Sequence, residues 1–147
     1  MSKTLYLSIP LLCFAAARLG AHDDLTGDQL KLLTDSGGWE YVEIDDSDAG
    51  VQTEHTCFDG KPHPDVCSGS LTLSPAKTFV QEVSVHHQSV ARHGTYELNG
   101  DQLAFFDEFG TRDGPYTIAI DPDKTALSMR MPQVHLELLL KNRKARK

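Results

Sequence analysis

The side chains of this 147-residue chain that are able to do chemistry are seven histidines, four tyrosines, three cysteines and several paired carboxylates. His86 and His87 are adjacent, His93 follows shortly after, and His135 stands alone near the end. Successive side chains on a strand point to opposite faces, so His86 and His87 are poor joint ligands unless the strand has already ended there. One of them with His93 and Glu97 would make a surface metal site. Solvated loop histidines are the simpler account, and no metal is assigned. Tyr41, Tyr96 and Tyr116, together with Gln81, are polar handles that would orient a ligand in an apolar pocket. The tyrosines are also possible proton donors for an isomerisation or cyclisation. Carboxylates pair at Asp107-Glu108 and Asp45-Asp46, with Asp113 in a nearby turn; acidic turns are normally solvated. The sequence has no Gly-x-Ser-x-Gly, no phosphate-binding loop and no His-Glu-x-x-His, so no nucleophile arrangement is legible and no cofactor is assigned.

The cysteines depend on where the chain works. Met1 to Ala21 has the form of a secretory signal: Lys3 is the positive end, Leu5 to Ala17 the apolar region, and Ala15-Ala16-Ala17 or Leu19-Gly20-Ala21 a small-residue cleavage site. The apolar run is short for a bilayer span and contains Pro10. Removing the signal takes away Cys13 and leaves Cys57 and Cys67 around a Gly/Pro-rich loop. In an oxidising compartment they read as a disulfide, which would contribute about 2–3 kcal/mol by constraining the unfolded chain. The expectation is a secreted or periplasmic, monomeric protein with no transmembrane segment after signal cleavage.

The elements that must position the tyrosines are strands. Alternating segments are read at Trp39–Ile44, Ser68–Leu73, Thr78–His86, His93–Leu98, Gln102–Asp107, Pro115–Asp121, Thr125–Met131 and Val134–Leu140. Turn chemistry separates them at Ser74-Pro75-Ala76, Asn99-Gly100-Asp101, Gly110 to Gly114 and Asp121-Pro122-Asp123-Lys124. Short connections allow each neighbour to pair antiparallel. Tyr116, Ile118 and Ile120 share one face, as do Leu127, Met129 and Met131, then Val134, Leu136, Leu138 and Leu140, while Thr117, Ser128, Arg130, His135 and Glu137 take the other. A short helix precedes the strands over Leu25–Leu33, with Thr26 as N-cap and Gln29 completing a capping box. The fold class is therefore all-β: an antiparallel up-and-down barrel of about eight strands behind a short N-terminal helix. The domains are a signal at 1–21, a barrel at 22–140 and a basic disordered tail at 141–147.

All 21 acidic residues lie between His22 and Leu140 with 7 of the 14 basic ones, so the body is strongly acidic and the net charge is −7. An acidic body repels phosphate backbones, which argues against nucleic acid as a partner. The stretch from Asp45 to Val66 is acidic, Gly/Pro-rich and long for a compact domain, a form that is usually functional or ill-ordered.

A short N-terminal helix, Gly37-Gly38-Trp39 where the first strand begins, and a meander of antiparallel strands behind a signal peptide together resemble the lipocalin-like, or calycin, superfamily. Arg112-Asp113-Gly114-Pro115-Tyr116 echoes the family's second signature, and Arg130 or Arg143 would be its late arginine over the tryptophan. The resemblance implies a barrel closed below by Trp39 and an interior holding a small apolar molecule. Eight strands enclose an interior that is either filled by side chains or able to hold one small ligand. The ligand-binding set would be Trp39, Tyr41, Phe79, Gln81, Val83, Tyr96, Phe105, Tyr116, Ile118, Met129 and Leu136. Two alternatives stand beside it: a filled barrel that presents the Asp45–Val66 loop, pinned by Cys57 and Cys67, as a protein-binding or inhibitor module, and a barrel isomerase or cyclase. Haem-binding relatives carry a late axial histidine, which would be His135, but its parity points outward.

Overall fold

The computed structural model describes residues 23–35, 37–46, 58–61 and 67–146. Eight strands follow one another as β1 (Trp39–Asp46), β2 (Cys67–Leu73), β3 (Thr78–Val85), β4 (Gln88–Asn99), β5 (Gln102–Asp107), β6 (Arg112–Asp121), β7 (Ala126–Met131) and β8 (Leu136–Asn142). Each pairs antiparallel with the next, and β8 returns to β1, so the sheet is a closed up-and-down barrel. Among the described residues no helix is long and apolar enough to cross a membrane.

One end of the barrel is closed by α1 (Gly27–Leu33). The Thr26 hydroxyl accepts from the Gln29 amide N–H, and the Gln29 side chain accepts from the Thr26 N–H, which completes the capping box. The Gln29 side-chain amide then donates to the Ile120 carbonyl at 3.1 Å, tying the helix to the lower end of β6. Leu33 is fully buried, and its carbonyl accepts the Trp39 indole N–H at 3.0 Å. The indole thus loses no hydrogen bond on burial, which would otherwise cost about 1–3 kcal/mol. Gly38 makes this corner possible. It sits at φ +69, and a Cβ there would lie 2.7 Å from the Thr72 hydroxyl and 3.2 Å from the Leu71 carbonyl.

Several strand limits differ from the sequence expectation. β4 begins at Gln88, five residues before His93, because His86 and His87 themselves form the two-residue turn, with φ 48 and 67. Those are the left-handed values that let a tight hairpin follow the strand twist. β6 begins at Arg112, so Gly110 to Gly114 is not a loose connection. The turn lies at Asp107 to Thr111, where the Asp107 carboxylate accepts from the Phe109 and Thr111 N–H groups. Val134 is not on the inner face of β8: it ends a 3-10 turn, Pro132–Val134, and is 45% exposed. His135, expected on the outer face of that strand, is the left-handed residue that closes this turn.

At the chain's end, β8 runs two residues into the basic stretch. Lys141 and Asn142 pair with β1, Asn142 is buried, and a 3-10 turn, Arg143–Arg146, follows. Here the Asn142 N–H donates to the Thr125 carbonyl, the Arg143 N–H to the Gly38 carbonyl, and Lys144 reaches the Asp35 carboxylate at 2.8 Å. Backbone pairing and these contacts hold the start of the basic stretch against the closed end.

The seam between β1 and β2 is short: Trp39 pairs with Leu71 and Glu40 with Ser70. Above it, Phe58 to Gly60 runs beside β1 instead, with the Ile44 N–H donating to the Phe58 carbonyl and the Gly60 N–H to the Val42 carbonyl. Phe58 is buried edge-on against Tyr41, with ring centroids 6.2 Å apart. Within the Asp45–Val66 loop, residues 47–57, Cys57 among them, and 62–66 lie outside the described residues, as does the proposed signal.

Gly38→Ala is expected to lower unfolding free energy by about 1–2 kcal/mol, the cost of a left-handed non-glycine residue, read as a lower urea midpoint with an unchanged slope. An unchanged midpoint would mean that this corner relaxes freely.

Candidate functional site

Inside the barrel the side chains form layers. Trp39, Leu71, Leu73, Phe79, Leu103, Leu127, Met129 and Leu140 are almost completely buried toward the closed end. Phe79 and Phe105 meet edge-on with ring centroids 4.9 Å apart, and Phe105 meets Tyr116 the same way at 6.0 Å. Such pairs add about 0.5–1.5 kcal/mol each to their burial. This floor is packed with aromatic and aliphatic groups and extends up to Tyr116.

On that floor rests a chain of polar side chains from four strands. The Gln81 side-chain amide on β3 donates to the Tyr41 hydroxyl on β1 at 2.7 Å. Arg92 on β4 donates through Nη1 to Gln81 Oε1 at 3.3 Å and to Asp113 Oδ2 on β6 at 3.1 Å. The Tyr116 hydroxyl donates to Asp113 Oδ1 at 2.7 Å. The chain runs Tyr41, Gln81, Arg92, Asp113, Tyr116 across the barrel, and its Tyr41–Gln81 and Arg92–Asp113 links join strands that are not neighbours.

Two residues of this chain owe their direction to a bulge. In a regular strand Asp113 and Tyr116, three apart, would point to opposite faces. Leu103 pairs with Tyr116 and Phe105 with Asp113, so two steps on β5 match three on β6. The extra residue falls at Gly114-Pro115. Proline has no N–H for the ladder and is at home in a bulge, and Gly114 adopts φ +114 with the Leu103 carbonyl 2.9 Å from where a Cβ would be. Both side chains therefore turn inward.

Beyond the polar chain the inward residues are Ile44, Val83, Val85, Met131 and Leu136, all half-buried and packed against the core. Arg92 and Asp113 keep 36% and 29% of their side-chain surface exposed. Solvent reaches this end, whereas the other is sealed by α1. The site is thus a rim of aliphatic side chains above a hydrogen-bonded polar layer.

Burial sets the electrostatics of the tyrosines. Loss of solvent pushes the Tyr41 hydroxyl up to about 12 from its ordinary 10.0, partly offset by the bond from Gln81. Tyr116 is raised as well, first by burial and then by the hydrogen bond to Asp113 and its negative charge. Tyr96 is raised by burial. Phenols in this state hold their protons and act as hydrogen-bond donors.

Among the expected site residues, Tyr41, Gln81 and Tyr116 come together in the polar layer. Val83 and Leu136 stand at the rim, and Trp39, Phe79, Phe105, Ile118 and Met129 are in the packed interior. Tyr96 is separate: its hydroxyl donates to the Ser74 carbonyl at 2.7 Å near the closed end, and Lys77 lies over its ring. The sequence reading does not include Arg92 or Asp113, placing the first in a connection and the second in a turn. Alternation read backward from Tyr96 through Gly94 reaches Arg92. A proline inside a strand pattern is the mark of the bulge that turns Asp113 inward.

The described histidines, His86, His87, His93 and His135, are not gathered. His93 is on the outer face of β4 and pairs with Glu108 at 3.2 Å rather than with Glu97. Among the described residues no three His, Cys, Asp or Glu side chains form a metal-binding group. Arg130 is held by Glu137 at 2.8 Å on the outer face, away from Trp39. Cys67 is buried at the start of β2. Outside the barrel a groove of about 650 Å³ is lined by Glu40, Ser70, Glu82, Ser89 and Arg143 among others, with no aromatic side chain in its wall.

No family model matches the chain, no curated protein matches it, and no solved structure matches it.

The raised tyrosines have a pH consequence. Tyr41 binds its proton more tightly folded than unfolded, so its contribution to stability is full below pH 10.0 and is lost as pH rises through about 12. Near-ultraviolet titration of the native protein is expected to show phenolate formation delayed to that range, and Tyr41→Phe to remove the component near 12. A full phenolate signal at the ordinary tyrosine value, with the fold intact, would contradict the burial assigned to these hydroxyls.

Proposed function

We propose that this protein is an exported, lipocalin-like barrel that binds a small apolar molecule at its open end. The ligand's body rests against Ile44, Val83, Val85, Met131 and Leu136, and its polar group meets the Tyr41–Gln81–Arg92–Asp113–Tyr116 layer. The observation that carries this reading is the layer itself, a set of placed hydrogen-bonding groups beneath a half-buried aliphatic rim. A mostly apolar site with a few convergent polar groups is the common form of a small-molecule pocket. The packed floor limits the ligand to the upper part of the barrel, so it is a small molecule.

The kinship is supported by a capped helix leading into Gly38-Trp39, a tryptophan buried at the closed end, and strands that close in sequence order. Export is supported by the form of residues 1–21 and by the even pair Cys57 and Cys67 that cleavage would leave. A Cys57–Cys67 disulfide fits the path of the chain: Phe58 is stitched to β1 and Cys67 heads β2. Binding is placed ahead of isomerisation because the raised tyrosines are weak acids, better suited to holding a ligand than to giving up a proton.

The test is uptake of N-phenyl-1-naphthylamine, an uncharged apolar dye whose emission rises out of water. The protein is expected to bind it, and Val83→Trp, which fills the rim, to weaken binding at least about tenfold, a difference of ~1.4 kcal/mol. Leu127→Met, an exchange of similar volume in the packed floor, is expected to leave binding unchanged. Absence of dye uptake by the folded wild-type protein would overturn the proposal.

A further inference from the structure

The polar layer is unequal in what it has left to offer. Both oxygens of Asp113 already accept, one from Tyr116 and one from Arg92, and Gln81 Oε1 accepts from Arg92. Donors remain: Arg92 spends only Nη1, so its Nε and Nη2 have no partner among the described residues. The Tyr41 hydroxyl accepts from Gln81, and its own hydrogen has no acceptor among them. A ligand that satisfies this layer must bring an acceptor oxygen. Burying donors without one is costly, so the layer discriminates by chemistry.

Charge then selects among acceptors. The layer holds one guanidinium and one carboxylate 3.1 Å apart, which together sum to zero. None of the other inward side chains named above carries a charge. Of the charged groups nearby, Glu43, Asp45, Arg130 and Glu137 alternate to the outer face; Asp46 ends β1 in register with Leu136, and Asp107, on the inner parity of β5, turns Oδ1 to the Phe109 and Thr111 N–H groups of its own turn. Arg92 is therefore already neutralised. A carboxylate brought to it would sit beside Asp113 and leave the site with a net negative charge, in a chain that already carries −7. Like charges at such range repel in a partly dehydrated site. A ketone, ester or amide oxygen takes the same two donors without adding charge.

We infer that the open end selects neutral, carbonyl-bearing apolar molecules over carboxylates of the same carbon skeleton, with the Arg92–Asp113 pair as the selecting device. This inference rests on the binding reading above.

Competition against bound N-phenyl-1-naphthylamine by nonan-2-one and by nonanoate at neutral pH tests it. An apolar rim by itself favours the ketone, so the decisive quantity is how the ketone-to-acid affinity ratio responds to Asp113. In the wild-type protein the ketone is expected to bind at least about tenfold more tightly. Asp113→Asn leaves Arg92 without its counter-charge and is expected to move the ratio by about tenfold or more toward nonanoate, while ketone affinity changes only a few-fold. Glu137→Gln, which removes an equal charge from the outer face, is expected to leave the ratio in place. Should Asp113→Asn not fold, Arg92→Gln reads the same device in the opposite direction, widening the ratio against nonanoate.

A ratio indifferent to both Asp113→Asn and Arg92→Gln would overturn the inference, as would wild-type protein that prefers nonanoate. If the dye binds but neither competitor displaces it, the selection is overturned and the binding reading stands. If the dye does not bind, both fall.

Discussion

Eight strands enclose an interior about wide enough for their own side chains, so any polar group placed inside has to find its partner inside. That constraint governs this barrel. Asp113 cannot face the interior without donors, and it takes two, from Tyr116 and Arg92. Arg92 in turn needs acceptors and finds a second in Gln81, whose amide nitrogen is passed on to Tyr41. Because the five side chains come from four strands, β1, β3, β4 and β6 are held in one register across the hollow as well as around it. The neighbour-to-neighbour ladder alone does not supply this. A buried ion pair is weak support for stability, since desolvation consumes much of its Coulomb energy. Here the pair stays partly solvated, and its main effect is to define one arrangement of the interior.

The two ends divide the labour. Below, α1 and Trp39 close the barrel, and the apolar floor supplies most of the burial that holds the fold. The indole N–H, the capping box and the bond from Gln29 to β6 pair the polar groups of the helix and of Trp39, while among the described residues the side-chain nitrogen of buried Asn142, opposite Trp39, is left without a partner. Above, the polar layer interrupts the apolar interior and leaves a shallow rim. A site built on strands above a packed floor is held rigidly, which is what a few directional hydrogen bonds require to discriminate among ligands.

Much of the architecture is legible in the sequence because period-two alternation is strong from Tyr116 to Leu140 and the turns carry Gly, Pro, Asn and Asp. The capping box at Thr26 and Gln29 and the place of Trp39 follow from residue type and order. What escapes is where local geometry departs from the regular pattern. Histidine is an uncommon turn residue, so the tight His86-His87 turn conceals the first half of β4 and Arg92 with it. Alternation counted across Gly114-Pro115 fails by one, because a bulge resets parity, and Asp113 is lost from the inner face. Val134 and His135 fit the alternation of β8 but are taken by the 3-10 turn that Pro132 begins. Three of the five members of the polar layer, Tyr41, Gln81 and Tyr116, are thus visible in the sequence. The two charged members, Arg92 and Asp113, depend on one turn and one bulge.

The closing of the ring is uneven. β1 lies against β8 along its whole length, yet meets β2 only at Trp39 and Glu40, with Phe58 to Gly60 alongside its upper half. Proteins open locally along their least bonded boundaries. The circle therefore has a latch. When it slips, β1 stays with β8 as the end of one sheet that runs on through β7 and β6, and β2, β3 and β4 form the other end. A parting at this seam would open the wall beside Tyr41. The short segment around Phe58 is the bolt, and its grip sets how often the interior meets solvent from the side rather than from the open end.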